Sequence, residues 1–303
     1  MTSAGTLALT ASVLGCLAAC QAGPEAKAAQ IKALEASRQQ QLARRIEEAG
    51  ANRTKALAVW LMPPELREIS GLALTPTDHV LTHDDEIGRI YEIDPKGGVI
   101  LKSFTLAGAP HGDFEAITIA DKDIYLLESN GKLFKFREGA DGEQVQYSKY
   151  DTHLGNECEF EGVAFESDSS WLVLPCKKVS ARSVRDELVI YRVPLPLTDS
   201  PSPSPRFSML VVPMSEVIGS NSWKNFQPSD IAIDPATGNY VLVASHEKAL
   251  AVITPGGKVV RSEPLPPGHD QAEGVAITRD DILIVSDEAR SRPADIVLYR
   301  WRR

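Results

Sequence analysis

Short apolar runs, separated by clusters of Gly, Asp, Asn and Pro, fill the chain from about residue 58 onward. Examples are Ile124-Tyr125-Leu126-Leu127, Trp171-Leu172-Val173-Leu174, Tyr240-Val241-Leu242-Val243 and Ile282-Leu283-Ile284-Val285. Runs this short, rich in β-branched and aromatic residues and bounded by turn formers, predict strands. No long amphipathic helical pattern interrupts them, so a sheet built from strand–helix–strand units is not expected. Before residue 58 the pattern is different. Residues 25–49 carry Ala, Gln, Glu, Lys and Arg with no Gly or Pro, a helix-forming composition. Their apolar residues Ile31, Leu34, Leu42 and Ile46 are sparse. A helical or partly disordered spacer is predicted over residues 20–57.

The strand-forming region repeats. Five times a carboxylate opens a small-residue or Ile-containing apolar run: Glu68-Ile-Ser-Gly-Leu-Ala, Glu115-Ala-Ile-Thr-Ile, Glu161-Gly-Val-Ala-Phe, Asp230-Ile-Ala-Ile and Glu273-Gly-Val-Ala-Ile. The spacings are 47, 46, 69 and 43 residues. A four-stranded propeller blade takes about 40–50 residues. The long third spacing contains Pro194–Pro205, with its Ser-Pro-Ser-Pro-Ser-Pro run, and reads as a surface insertion. The expected fold is therefore all-β: a five-bladed β-propeller over residues 58–303, with six blades as the alternative if the gap hides a degenerate unit. Residues near Ala58-Val-Trp-Leu are expected to complete the last blade from the N-terminal side and so remove its open edge.

Carboxylates are poor strand residues, so their recurrence at one place in each unit asks for a reason. In a propeller the innermost strands line the axis, and their first residues gather at one mouth of the channel. Glu68, Glu115, Glu161, Asp230 and Glu273 would then converge and repel, unless a cation, protons or backbone N–H groups compensate. Hard oxygen donors favour Ca²⁺ or Mg²⁺. Each carboxylate could equally cap a turn. The second strand of each unit should end opposite these positions, at His83-Asp84-Asp85, Glu128-Ser129, Pro175-Cys176, Ser245-His246 and Ser286-Asp287-Glu288. Asp85 and Asp287 join the candidate metal ligands. His83, Asp84, Ser129 and His246 are candidate ligand-binding residues, and Asp113 is a further possible metal ligand.

Pro64-Glu-Leu-Arg-Glu-Ile-Ser-Gly-Leu-Ala, His83-Asp-Asp-Glu-Ile-Gly-Arg-Ile-Tyr-Glu-Ile-Asp and Asp113-Phe-Glu-Ala-Ile-Thr, in this order, resemble the SdiA-regulated, YjiK-like domain. The resemblance covers roughly residues 60–302. It implies a five-bladed propeller with bound calcium, distantly similar to NHL-repeat propellers, and supplies no substrate. The expected function is a calcium-binding module for a small molecule or an envelope protein. The alternative is a metal-dependent hydrolase of an ester, lactone or phosphoester, with Asp85, His83 or His246 activating water. No Gly-x-Ser-x-Gly elbow, Walker loop, His-Glu-x-x-His or Cys-x-x-Cys is present.

The N-terminus and the cysteines suggest the compartment. Residues 1–19 are small and apolar without a charge, as in a secretion signal, although the usual basic opening is missing. Leu17-Ala18-Ala19-Cys20 resembles a lipobox, so Cys20 is the expected lipidation site and membrane tether. Gln21 resembles a signal for outer-membrane sorting, with the domain facing the periplasm. Cys158 and Cys176 remain as an even pair in an oxidising compartment, and a disulfide between them is a candidate. The chain has 32 basic and 41 acidic residues, a formal net charge of −9. That balance argues against a nucleic-acid partner; a monomer is expected.

Overall fold

The computed structural model describes residues 24–50, 52–197 and 207–301. The signal segment, Cys20 and most of the Pro/Ser run lie outside the described residues. The described chain forms five sheets arranged as blades, antiparallel apart from one short parallel pair. Strand β1 (Ala58–Leu61) comes first but belongs to the last blade. Blade 1 holds β2 (Ile69–Leu74), β3 (Val80–Asp84), β4 (Arg89–Asp94) and β5 (Val99–Leu106). Blade 2 holds β6 (Phe114–Ala120), β7 (Asp123–Glu128), β8 (Lys132–Phe136) and, after the short β9 (Gln144–Val145) that pairs parallel with β5, β10 (Tyr147–Asp151). Blade 3 holds β11 (Cys158–Phe160), β12 (Ala164–Glu166), β13 (Trp171–Val179), β14 (Glu187–Pro194) and β15 (Ser208–Pro213). Blade 4 holds β16 (Asp230–Ile233), β17 (Tyr240–Ala244), β18 (Ala249–Ile253) and β19 (Val259–Pro264). Blade 5 holds β20 (Ala272–Ile277), β21 (Ile282–Asp287) and β22 (Asp295–Arg300), closed by β1 in the register Ala58↔Leu298 to Leu61↔Asp295.

The blade number is five, not six. The Pro/Ser segment joins β14 to β15 within blade 3, and a further segment with the short helix α2 (Met214–Ile218) leads on to blade 4. These two additions account for the long third repeat.

The continuous apolar runs follow from burial on both faces. Along β17, Tyr240, Leu242 and Ala244 pack toward blade 3, whereas Val241 and Val243 pack toward blade 5. Alternate side chains of a strand point to opposite faces, so a strand between two neighbours must be apolar at every position. Five apolar clusters result, one at each blade interface. The disulfide Cys158–Cys176 ties β11 to β13 within blade 3.

At the axis the inner strands approach too closely for ordinary side chains. A Cβ on Gly71 would lie 2.8 Å from Ala116 Cα, and one on Gly162 would lie 3.1 Å from Asp230 Cα. Side chains then join the strands through backbone groups. Ser70 Oγ donates to Glu115 O at 2.9 Å, and Ser229 Oγ to Ala272 O at 2.6 Å. Asp230 reaches furthest: its Oδ2 accepts Leu72 N at 3.3 Å and Val275 N at 2.8 Å, so one carboxylate of blade 4 holds blades 1 and 5.

Outside the ring, helix α1 (Pro24–Ala49) differs from a free spacer. Leu42, Ile46 and Ala49 pack on Leu57, Ala58 and Ile296, next to the closing strand. Arg38 stacks 4.9 Å over the Trp60 ring and donates to Gly97 O and Gly98 O. The sparse apolar residues of α1 are enough for one docked stripe along its C-terminal half.

Asp230→Ala strands two buried amides, and an unsatisfied buried donor costs about 1–3 kcal/mol. A loss of about 2–4 kcal/mol and a melting temperature lower by several degrees are expected, with Asp230→Asn recovering part because an acceptor oxygen remains. Equal melting of wild type and Asp230→Ala would remove Asp230 from this role.

Candidate functional site

The sequence repeat places a carboxylate at the head of each inner strand, and local register decides where each one points. Glu115 falls between the pairs Phe114↔Glu128 and Ala116↔Leu127. Glu273 falls between Ala272↔Asp287 and Gly274↔Ser286. Both are therefore the unpaired residue of a β-bulge, a device that re-aims a side chain. Glu161 lies in the unpaired stretch between β11 and β12, and Glu68 directly precedes β2. Asp230, by contrast, pairs regularly with Val243, and its fully buried side chain is the staple described above. Four of the five repeated carboxylates, Glu68, Glu115, Glu161 and Glu273, lie outside the regular strand pairs. Asp230 does not join them.

The four fall into two groups. On blade 1, one carboxylate oxygen each from Glu68, Asp84 and Asp85 lie within 4.8 Å of one another. Asp84 also caps its turn, with Oδ1 accepting Glu86 N and Ile87 N at 3.0 Å each. Asp85 Oδ1 is buried without a hydrogen-bond partner. Burial first, then the negative fields of Glu68, Asp84 and Glu288, push the Asp85 carboxyl up to about 7.

The second group spans blades 2, 3 and 5. Lys177 Nζ lies 2.6 Å from Glu161 Oε1. Burial pushes Glu115 up, and Glu161, Asp113 and Glu273 add to the shift while Lys177 opposes it. Glu161 is also raised, because its burial outweighs the attraction of Lys177. Burial and the field of Glu161 push Glu273 up to about 8. One lysine thus serves three carboxylates, and protons make up part of the balance. Lys177 stands one residue beyond the Pro175-Cys176 pair singled out in the sequence. Only the register of β13 shows that it is the residue facing the acids.

The other candidates separate. Asp287 is not available to a metal: it is buried, pairs with His269 Nδ1 and accepts Gln271 N at 3.0 Å. The far side of that imidazole, Nε2, lies 2.8 Å from Tyr299 Oη, so His269 anchors the loop carrying Asp270 and Gln271. His83 is fully buried, its Nδ1 is 3.1 Å from Asp84 O, and desolvation lowers it to about 4. It is shut away from solvent as a neutral imidazole rather than placed as a base in the mouth. Ser129 donates to Asp113. His246 is 81% exposed beside Glu247. It edges a cleft of about 550 Å³ whose walls include Lys177, Ser245, Gln271 and Glu273.

Several solved structures share this architecture. The PQQ-bound aldose sugar dehydrogenase from Streptomyces coelicolor matches at 15% identity with a TM-score of 0.52, over 80% of this chain and 98% of that one. The glutaminyl cyclase of Myxococcus xanthus matches at 12% and 0.53, over 82% and 97%. A glucose dehydrogenase-like oxidoreductase from Thermus thermophilus matches at 15% and 0.50, over 80% and 99%. The chain is a β-propeller. At these identities the likeness is one of fold. No family model matches the chain, and no curated protein does.

Protons on Glu115 and Glu273 give stability an unusual pH dependence. Carboxyls raised in the folded state stabilise it fully below their unfolded value, near 4.5, and lose that contribution as pH rises toward about 8, the value of Glu273. In EDTA, thermal scans should show the melting temperature falling as pH rises through this window. A Glu115→Gln/Glu273→Gln variant should flatten the fall; an identical slope in the variant would assign it elsewhere.

Proposed function

We propose that the chain is a calcium-binding propeller of the bacterial envelope, of the SdiA-regulated, YjiK-like kind. It is tethered to the membrane through Cys20 and binds a small molecule or an envelope protein at the channel mouth. The observation that carries the metal is the group Glu68, Asp84 and Asp85: three carboxylates within 4.8 Å and a buried Asp85 oxygen without a partner. All the donors are hard oxygens, which fits calcium better than zinc. These three residues would hold the ion, and the positive charge it supplies would offset their mutual repulsion. The wider ring read from the sequence contracts to blade 1, since Asp230 and Asp287 are engaged elsewhere and Glu161 is paired with Lys177.

A second reading, a metal-dependent hydrolase, draws on Glu273. A carboxyl pushed up to about 8 keeps its proton at neutral pH while it lines an open cleft, the state that a general acid needs. The SdiA-regulated resemblance and the propeller architecture suit either reading.

The lipobox-like Leu17-Ala18-Ala19-Cys20 supports an envelope location, and so does the Cys158–Cys176 pair, because disulfides persist in oxidising compartments. No described helix is long and apolar enough to cross a membrane.

Two measurements test the reading. Full-length protein should carry about one calcium per chain, and EDTA should lower its melting temperature. Glu68→Gln/Asp85→Asn should abolish both effects, and a metal-free wild type indifferent to EDTA would refute the calcium site. Cys20→Ala should move the protein from the membrane fraction to the soluble fraction; continued membrane association would refute the tether.

A further inference from the structure

The mouth is polarised. Its blade 1 side gathers Glu68, Asp84 and Asp85, whereas the cleft over blades 3, 4 and 5 gathers Lys177, Lys178, Lys248 and Arg290. Four permanent cations around one cleft of about 550 Å³ are out of keeping with a chain of net charge −9. We infer that this cleft binds a small oxyanion, the carboxylate or phosphate group of a polar organic molecule. The inference deepens the reading of the mouth as a binding face, but it rests on residues other than the proposed calcium ligands.

The cations differ in how firmly they are held. Lys177, which lines the cleft, is anchored by Glu161 at 2.6 Å. Lys248 pairs with Asp270 at 2.8 Å and Lys178 with Glu159 at 3.0 Å, in both cases between exposed side chains that exchange partners readily. Arg290 is exposed and has no ion-pair partner among the described residues. Its planar fork of donors matches carboxylate and phosphate oxygens.

Neutral groups complete the walls, with the Ser245 hydroxyl bonded to Glu273. Ser245 and Gln271 stand on blades 4 and 5, and Gln271 is fixed in place through both its side chain and its backbone. Its Nε2 donates to Glu288 at 2.7 Å and its backbone N to Asp287 Oδ1 at 3.0 Å. The acids that line the cleft, Asp270 and Glu273, are fewer than its cations; Glu161 and Glu159 pair with Lys177 and Lys178 from outside the lining, so among the described residues Arg290 is the cation without a counter-charge. An anion entering there replaces weak surface pairs at Lys248 and Lys178 and meets Arg290 without displacing anything.

Calorimetric titration of the full-length protein in detergent tests this, with inorganic phosphate, succinate and glucose 6-phosphate as probes and glucose as the neutral control. At least one anion should bind saturably at one site per chain while glucose gives no signal. Preference for succinate or for the phosphates separates the two chemistries. A Lys248→Gln/Arg290→Gln variant, altered only at exposed positions, should weaken binding at least tenfold. No saturable binding of any of the three anions, or a variant affinity within twofold of wild type, would overturn the inference. Calcium content measured on the same samples separates the two ideas. Anion binding by a calcium-free wild type would leave this site standing and remove the metal, while calcium without anion binding would do the reverse.

Discussion

Five inner strands surround one axis here, and their backbones come close enough that side chains must be small or must themselves take part in the bonding. Gly71 and Gly162 remove the Cβ atoms that would collide with the neighbouring strands. Asp230 fills the opposite need. Its carboxylate takes amide hydrogens from blades 1 and 5, so a blade that shares no sheet with either is joined to both. Backbone groups at the axis have no ladder partners across the blades, and unpaired buried donors are rarely tolerated. The apolar interfaces between blades press the sheets together, but they are non-directional. The polar contacts near the axis fix how the inner strands meet, and the orientation of every blade follows.

The same constraint sorts the repeated carboxylates. A bulge inserts Glu115 and Glu273 as extra residues, which bends the strand and re-aims the side chain. Blade 4 has no such bulge at Asp230, and its shorter side chain is held in the wall. The one unit that carries Asp instead of Glu is thus the unit whose carboxylate has a structural task. With that charge withdrawn, the mouth is free to be uneven: acidic over blade 1, cationic over the cleft.

The architecture was legible because burial on both faces leaves continuous apolar runs such as Tyr240–Ala244, and because the carboxylate heads recur at blade spacing. The closing strand was legible from the need to cover an edge, and β1 pairs with β22 as that need required. The site was legible only in outline. Residue type marked Glu68 and Asp85 for a metal and Asp84 for a ligand, but a one-residue step along β13 separates Cys176, which forms the disulfide, from Lys177, which pairs with Glu161. Bulges leave no sequence signature as clear as a turn does. Engagement by a distant partner leaves none at all, and Asp287 looks free in sequence because His269 lies 18 residues away. Helix α1 was read as a spacer because its apolar stripe is thin, yet Leu42 and Ile46 suffice where the closing strand offers a matching surface.

Closure by β1 also sets the order in which the molecule can be completed. The strand that seals blade 5 is the first strand described, and its partner β22 is the last. Contacts between the two ends of a chain bear the largest loop-closure entropy and belong to slow-folding topologies. Until the final strand arrives, β1 presents an unpaired edge, and so does β21. Each blade interface can be buried as its two sheets emerge, except the one between blades 5 and 1. That last interface waits for β22, so a chain lacking this strand would be an open ring with two adhesive edges rather than a slightly smaller propeller.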